Sequence, residues 1–399
     1  MPAGVVLGYL LAGGVTVALG HRIADAGWLA LHLVLLGAAS NAIVVWSEHF
    51  AAALLHTRAS SDRVALARLG ALNLAVLAVL AGVHGGWPAL VAGGGSLLAL
   101  VVLAHALGLA RRIRQSLAAR LGDTVWFYVA ASAALIAGTG LGVLLGGGAA
   151  GSADAYVAMR LAHAHLNVLG WIGLAVIGTQ FTLWPTVLHT RMVPGLRGAA
   201  TAALLLMVAG LAVVVAGLLS QHRGVAVVGL AGYAAGLGAA LRPFVRTMLQ
   251  RRPRGAAAWM LLAGTAWFAL AVVGDLVIML GGGRMVELDG RLGRLVPAVA
   301  VGFGLQTLAG ALTYLLPAVW GRGAHGNRRL TRLLEAGWPL RVAGLNLGVA
   351  AITVGSAGSR LTLAGQFLVA LGLGSFVALA VIALVWRPTG QARSTQDTD

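Results

Sequence analysis

Apolar stretches of about twenty residues recur along this chain with hardly a charge inside them. They fall at about 3–20, 28–55, 65–83, 88–110, 124–147, 156–188, 198–219, 224–248, 256–281, 295–319, 339–357 and 361–386. About twenty apolar residues of helix cross the ~30 Å hydrocarbon core of a bilayer. Inside it, only helices or closed barrels satisfy every backbone polar group. The chain therefore reads as all-α, a polytopic transmembrane bundle of about twelve helices. A single transmembrane helical domain, 1–387, accounts for nearly all of it. The polar tail, 388–399, is expected to be disordered and cytoplasmic. No strong internal repeat is visible in the sequence.

Charge sets the orientation. All 28 basic residues are arginine, and the net charge is +17. Such a charge could point to nucleic acid, but the arginines sit in short loops between apolar runs. After the even-numbered spans there are 21, and on the other side 7. That alternation is the positive-inside pattern; it supports the span count, puts both termini in the cytoplasm and makes the lipid bilayer the partner. The arginine, alanine and glycine load suggests a bacterial inner membrane protein. Cysteine is absent, which excludes disulfides, thiolate metal sites, iron–sulfur clusters and covalent haem attachment through CxxCH. No loop carries a phosphate-cradling motif, so an ATP-driven pump is not expected.

The sixth run contains Arg160-Leu-Ala-His-Ala-His-Leu-Asn-Val-Leu-Gly-Trp171. Ionisable groups inside a membrane helix are costly and mark function, and histidine is the commonest side-chain metal ligand. With the orientation above, His32, His163, His165 and Asp275 lie at comparable depths in the outer half, on three different helices. His163, Asn167 and Gly170 share one helical face. His165 lies 200° from His163 at 100° per residue, nearly opposite. His163 is therefore the better candidate for the bundle interior. Two readings stand for His32, His163 and His165: metal or cofactor ligands, or interhelical hydrogen bonds. An inner group, Asn41, Glu48, His49 and His105, has no assigned role, and His56, His189 and His325 read as interfacial histidines that need no ligand. In the tenth run Gly302, Gln306, Gly310, Thr313 and Pro317 form a stripe that reads as helix packing, or else as a cofactor wall.

Twelve spans, a histidine high in helix 2 and a histidine motif in helix 6 resemble subunit I of the haem-copper oxidases. Ala162-His-Ala-His-Leu-Asn-Val-Leu-Gly-Trp171 is similar to divergent members of that superfamily. Among them is the NnrS family of haem- and copper-containing membrane proteins linked to nitric oxide stress. Leu31-His-Leu-Val-Leu-Leu-Gly37 and the 302–317 segment look like actinobacterial proteins of this type, some joined to copper-oxidase domains. The resemblance implies haem b, copper or both, held by His32, His163 and His165 with Asn167 beside them. His32 matches the helix-2 haem ligand, and His163 or His165 the helix-6 copper ligand. The oxidases' histidine pair in helix 7 and two histidines in helix 10 are missing here, where Gln306 is the nearest polar residue. A full oxygen reductase is therefore not expected. The implied function is redox chemistry, electron transfer or nitric oxide response, with a redox partner or copper protein. The alternatives are a copper carrier and a transporter or scaffold whose histidines only lock helices together. No catalytic residue is assigned.

Overall fold

A computed structural model describes residues 2–116, 122–321 and 323–385. The expected polar tail lies outside these residues. The described residues contain no strand; they form thirteen helical rods. Ten are long and apolar enough to cross a membrane: α2 (Ala26–Leu54), α3 (Asp62–His84), α4 (Pro88–Gln115), α5 (Gly122–Gly146), α6 (Ala153–Val187), α7 (Leu196–Leu219), α8 (Arg223–Gln250), α9 (Gly255–Leu280), α10 (Met285–Trp320) and α13 (Arg360–Val385). Two shorter apolar rods, α1 (Pro2–Ala18) and α12 (Trp338–Val354), occupy the places of the first and eleventh expected spans. Large apolar side chains such as Leu249, Val228, Phe367 and Leu205 face outward. Water would make such a surface costly, whereas lipid makes it neutral.

Hydropathy alone predicts a loop around 322–338. Most of it is α11 (Gly323–Glu335), which buries Leu330 and Leu334 and exposes Arg328 and Arg332. Leucines three and four residues apart give one apolar stripe, and the arginines take the opposite face. Likewise α10 starts earlier than expected, because Met285–Leu292 is a helical lead-in that buries Met285 and Leu288.

One arrangement recurs three times. Setting α11 aside, the rods group as α1–α4, α5–α8 and α9–α13. The second rod of each group, α2, α6 or α10, contains a π-helical segment: Leu33–Ala39, Leu166–Leu174 and Ala298–Leu305. Such widened turns are rare and tend to sit at functional sites. The fifth residue of every segment is glycine, and each glycine lies against the first rod of its own group. A Cβ at Gly37 would strike the Tyr9 ring, one at Gly170 would strike Ala134, and one at Gly302 would strike Trp267. The last two rods of each group form a tight hairpin through small residues: Gly82 and Gly94, Gly210 and Gly229, Gly348 and Gly365. The groups then close on one another, α4 against α5, α8 against α9 and α13 against α1. The repeat escapes the eye in sequence because it survives only as His32-Leu-Val-Leu-Leu-Gly37 and His165-Leu-Asn-Val-Leu-Gly170, with Pro297 in the histidine's place in the third group.

The α7–α8 hairpin offers a direct check of this packing. A Cβ at Gly229 would run into the backbone of Val214 and Gly210, whereas one at Gly238 meets nothing within 4 Å. Overpacking costs roughly 1–3 kcal/mol. Gly229→Val should therefore lower the thermal unfolding midpoint of the purified protein by several degrees, and Gly238→Val should leave it unchanged.

Candidate functional site

The structure brings His32 and His163 together from different groups. Their ring centroids are 6.4 Å apart and their planes are inclined by 23°. His32 lies in the first turns of α2, where its Nδ1–H donates to the Trp28 carbonyl at 2.8 Å. The Trp28 indole stacks on the imidazole with centroids 4.1 Å apart. His163 lies ten residues into α6, and its Nδ1–H donates to the Gly138 carbonyl of α5 at 2.8 Å. A carbonyl only accepts, so each ring carries its proton on Nδ1. Each Nε2 then presents a lone pair, with no protein hydrogen bond among the described residues.

The α5 surface explains why His163 can sit there. Gly138 and Gly142, four residues apart, leave a shallow groove. A Cβ at Gly138 would strike the Asn167 amide, and one at Gly142 would come within 3.0 Å of the His163 ring. Small residues at this spacing let membrane helices approach closely. Asn167 donates its amide N–H to the His163 carbonyl at 2.7 Å, and the same nitrogen lies 3.3 Å from His163 Nδ1. Asn167 thus braces the histidine's backbone and fills the groove beside it. Sequence reasoning missed Trp28, Gly138 and Gly142. The Gly138-Thr-Gly-Leu-Gly142 pattern and the four-residue step from Trp28 to His32 were the available signals.

His165 is set apart from that pair. It faces α9, where its Nε2 meets Asp275 Oδ2 at 2.9 Å, while its Nδ1 meets the Leu161 carbonyl at 2.8 Å. Both groups are buried. Both ring nitrogens are engaged, so His165 has no lone pair to give a metal while this pairing lasts. Expected among the metal ligands, His165 is directed by the rotation of α6 toward Asp275 and away from His32. Just above, Arg160 and Asp289 form an ion pair, which also ties α6 to the start of α10.

The inner group does not converge. Glu48 accepts from Ser60 Oγ and from the guanidinium groups of Arg68 and Arg112, which joins α2, α3 and α4 at their arginine-rich ends. Asn41 pairs with Asn73, and His105 Nε2 with Ser47 Oγ at 2.9 Å. His49 is exposed against Trp46, His56 sits in the turn after α2, and His189 packs edge-on to Tyr314. The α10 stripe packs helices. Gly302 meets Trp267, Gly310 meets Met260, and the Gln306 and Trp267 N–H groups both donate to Asn346 Oδ1. Among the described residues no three His, Asp or Glu side chains gather as a metal-ligand group. Candidate ligation therefore rests on two imidazoles.

No family model matches this chain, and no curated protein sequence matches it.

The His165–Asp275 pair has a measurable consequence. Removing one partner of a buried pair leaves the other without its counter-group, at a cost of about 3–5 kcal/mol. Asp275→Ala and His165→Ala should each destabilise the protein by that order. The double variant should cost clearly less than the sum of the two, as a coupled pair requires. A double-mutant cycle on unfolding free energy in detergent measures this directly.

Proposed function

We propose that this chain is a twelve-span protein of the bacterial inner membrane, with both termini in the cytoplasm, that holds one metal centre in its outer half between His32 and His163. The observation that carries the reading is the matched pair of imidazoles. They come from two helices, and each has its proton fixed on Nδ1 and its Nε2 lone pair free. Two metal–nitrogen bonds of about 2 Å each, plus roughly 1 Å from each nitrogen to its ring centre, sum to about 6 Å. The centroid separation of 6.4 Å is of that order and supports one metal reached by both Nε2 atoms.

His32 and His163 would hold the iron of a haem b through their Nε2 atoms. They also suit a linear copper(I) ion, which takes soft or imidazole donors. Haem is the favoured reading, in line with the resemblance of the helix-2 and helix-6 motifs to the haem-copper oxidases. When bound, the group supplies one-electron redox chemistry. The chain's own residues orient it: Trp28 and Gly138 fix the tautomers, and Asn167 holds the His163 backbone. Hydrogen bonds of this kind to a ligating histidine typically tune affinity ten- to hundredfold. Among the described residues no third histidine accompanies the pair, so the reading is electron transfer or nitric oxide handling rather than oxygen reduction. A redox partner or copper protein outside the membrane is the implied counterpart.

Single replacements test this reading. His32→Ala and His163→Ala should each remove most of the Soret absorbance, or of the copper, that co-purifies with the protein. Asn167→Ala should lower it mildly. His165→Ala should retain it, apart from losses that follow reduced stability. His325→Ala, on the exposed face of α11, is the control. Retention of full metal content in His163→Ala would sink the proposal.

The topology is tested separately. A C-terminal phosphatase fusion should be inactive and a C-terminal fluorescent fusion bright, since the 21:7 arginine asymmetry supports a cytoplasmic C-terminus. The reverse pattern would contradict it.

A further inference from the structure

A second feature lies away from the histidines, toward the arginine-rich ends of the helices. A cavity of about 200 Å³ opens between α6, α8 and α9. Gln180, Trp184, Phe244 and Thr265 form its wall, and Val245 and Ala266 stand at its exposed rim. The rim faces outward between α8 and α9, the side on which Leu249 and Leu270 are exposed. In α8 the lining runs from Leu241 to Met248, within nine residues of the helix end at Gln250, or about 14 Å of rise. The exposed Arg242 and Arg246 lie on the same stretch of α8, which sets the opening at the depth of the lipid headgroups.

Gln180, one of the residues lining the cavity, carries an acceptor that is unmet among the described residues. Gln180 is 2% exposed, and its Oε1 is buried without a hydrogen-bond partner. The orientation of this amide is fixed by its neighbour. Thr265 Oγ1 gives its proton to the Leu261 carbonyl at 2.8 Å, so it can only accept from Gln180, and Gln180 Nε2 meets it at 3.1 Å. The oxygen must then be the free end. A buried acceptor left unpaired costs about 1–3 kcal/mol, and a ligand hydroxyl would remove that cost. Trp184 is already committed, donating its indole N–H to the Phe244 carbonyl. Its ring and that of Phe244 offer flat apolar walls. An acyl chain would fill the space without supplying a donor. A phenolic ring on a lipid-soluble tail supplies both.

We propose that this crevice binds a lipid-soluble quinol: the Gln180 amide turns toward the cavity on binding, a ring hydroxyl donates to its Oε1, and the ring lies beside Trp184 and Phe244. The oxidised quinone has no hydroxyl hydrogen at that position, so the site favours the reduced form. The proposal does not depend on whether His32 and His163 hold a metal.

The test uses the full chain in lipid nanodiscs and a ubiquinol analogue with a ten-carbon tail, with binding followed by equilibrium partition. Saturable binding of the quinol is expected, with the quinone binding roughly three- to tenfold more weakly. Gln180→Leu should abolish that preference while the protein remains folded by circular dichroism. Ala266→Leu, at the exposed rim, should narrow the crevice and weaken both forms. Iron and copper are measured in the same samples, so failure of the metal centre and failure of this site are separately visible. Non-saturable binding, equal affinity for quinol and quinone, decanol binding as tightly as the quinol, or an unchanged preference in Gln180→Leu would each overturn the assignment.

Discussion

The hydrogen bond from His163 Nδ1 to the Gly138 carbonyl is the contact on which the site depends. A membrane interior offers no water to correct a misplaced donor, so a ring nitrogen either finds an acceptor or stays unmet. Once that proton is committed to a backbone carbonyl, the tautomer follows, and the opposite nitrogen becomes a donor of electrons. The same device, with Trp28 in the role of Gly138, acts on His32. Neither arrangement needs a polar side chain, which is why so apolar a chain can carry it.

The threefold recurrence of the rods explains where this pair can form. α2, α6 and α10 each widen into a π-helical segment with glycine at the same place, and each lies against the first rod of its group. Positions equivalent by this register hold His32, His165 and Pro297. The histidine that meets His32 is not its equivalent, His165, but His163, two residues earlier and on another face. The three groups thus no longer do the same work. The first and second contribute one ring each, the equivalent histidine of the second is tied to Asp275, and the third supplies packing through Gln306, Trp267 and Asn346.

Much of this architecture was legible from hydrophobic length alone. α6 was expected at 156–188 and runs Ala153–Val187; α8 was expected at 224–248 and runs Arg223–Gln250. Depth was legible too, since rise per residue is fixed, and His32 and His163 meet. Rotation was not. Which face of α6 turns toward α2 depends on Gly138 and Gly142, and small residues carry little signal in a chain with 58 glycines. Asp275 was placed at the right level, but its pairing with His165 needed the rotation of α9 as well. Helix α11 escaped because its leucine stripe is short and lies among arginines, so an average over hydropathy erases it. The crevice beside Gln180 could not be foreseen, since a cavity arises where three helices fail to fill a space.

On the proposed reading one metal is shared by two imidazoles and no more. X-ray absorption at the iron and copper edges of the purified, full-length protein tests it most directly, because scattering from imidazole rings counts them. The account predicts a single edge with two histidine rings at about 2 Å, reduced to one ring or none in His163→Ala. A metal surrounded by three histidines, or by none, or no bound metal at either edge, would contradict it.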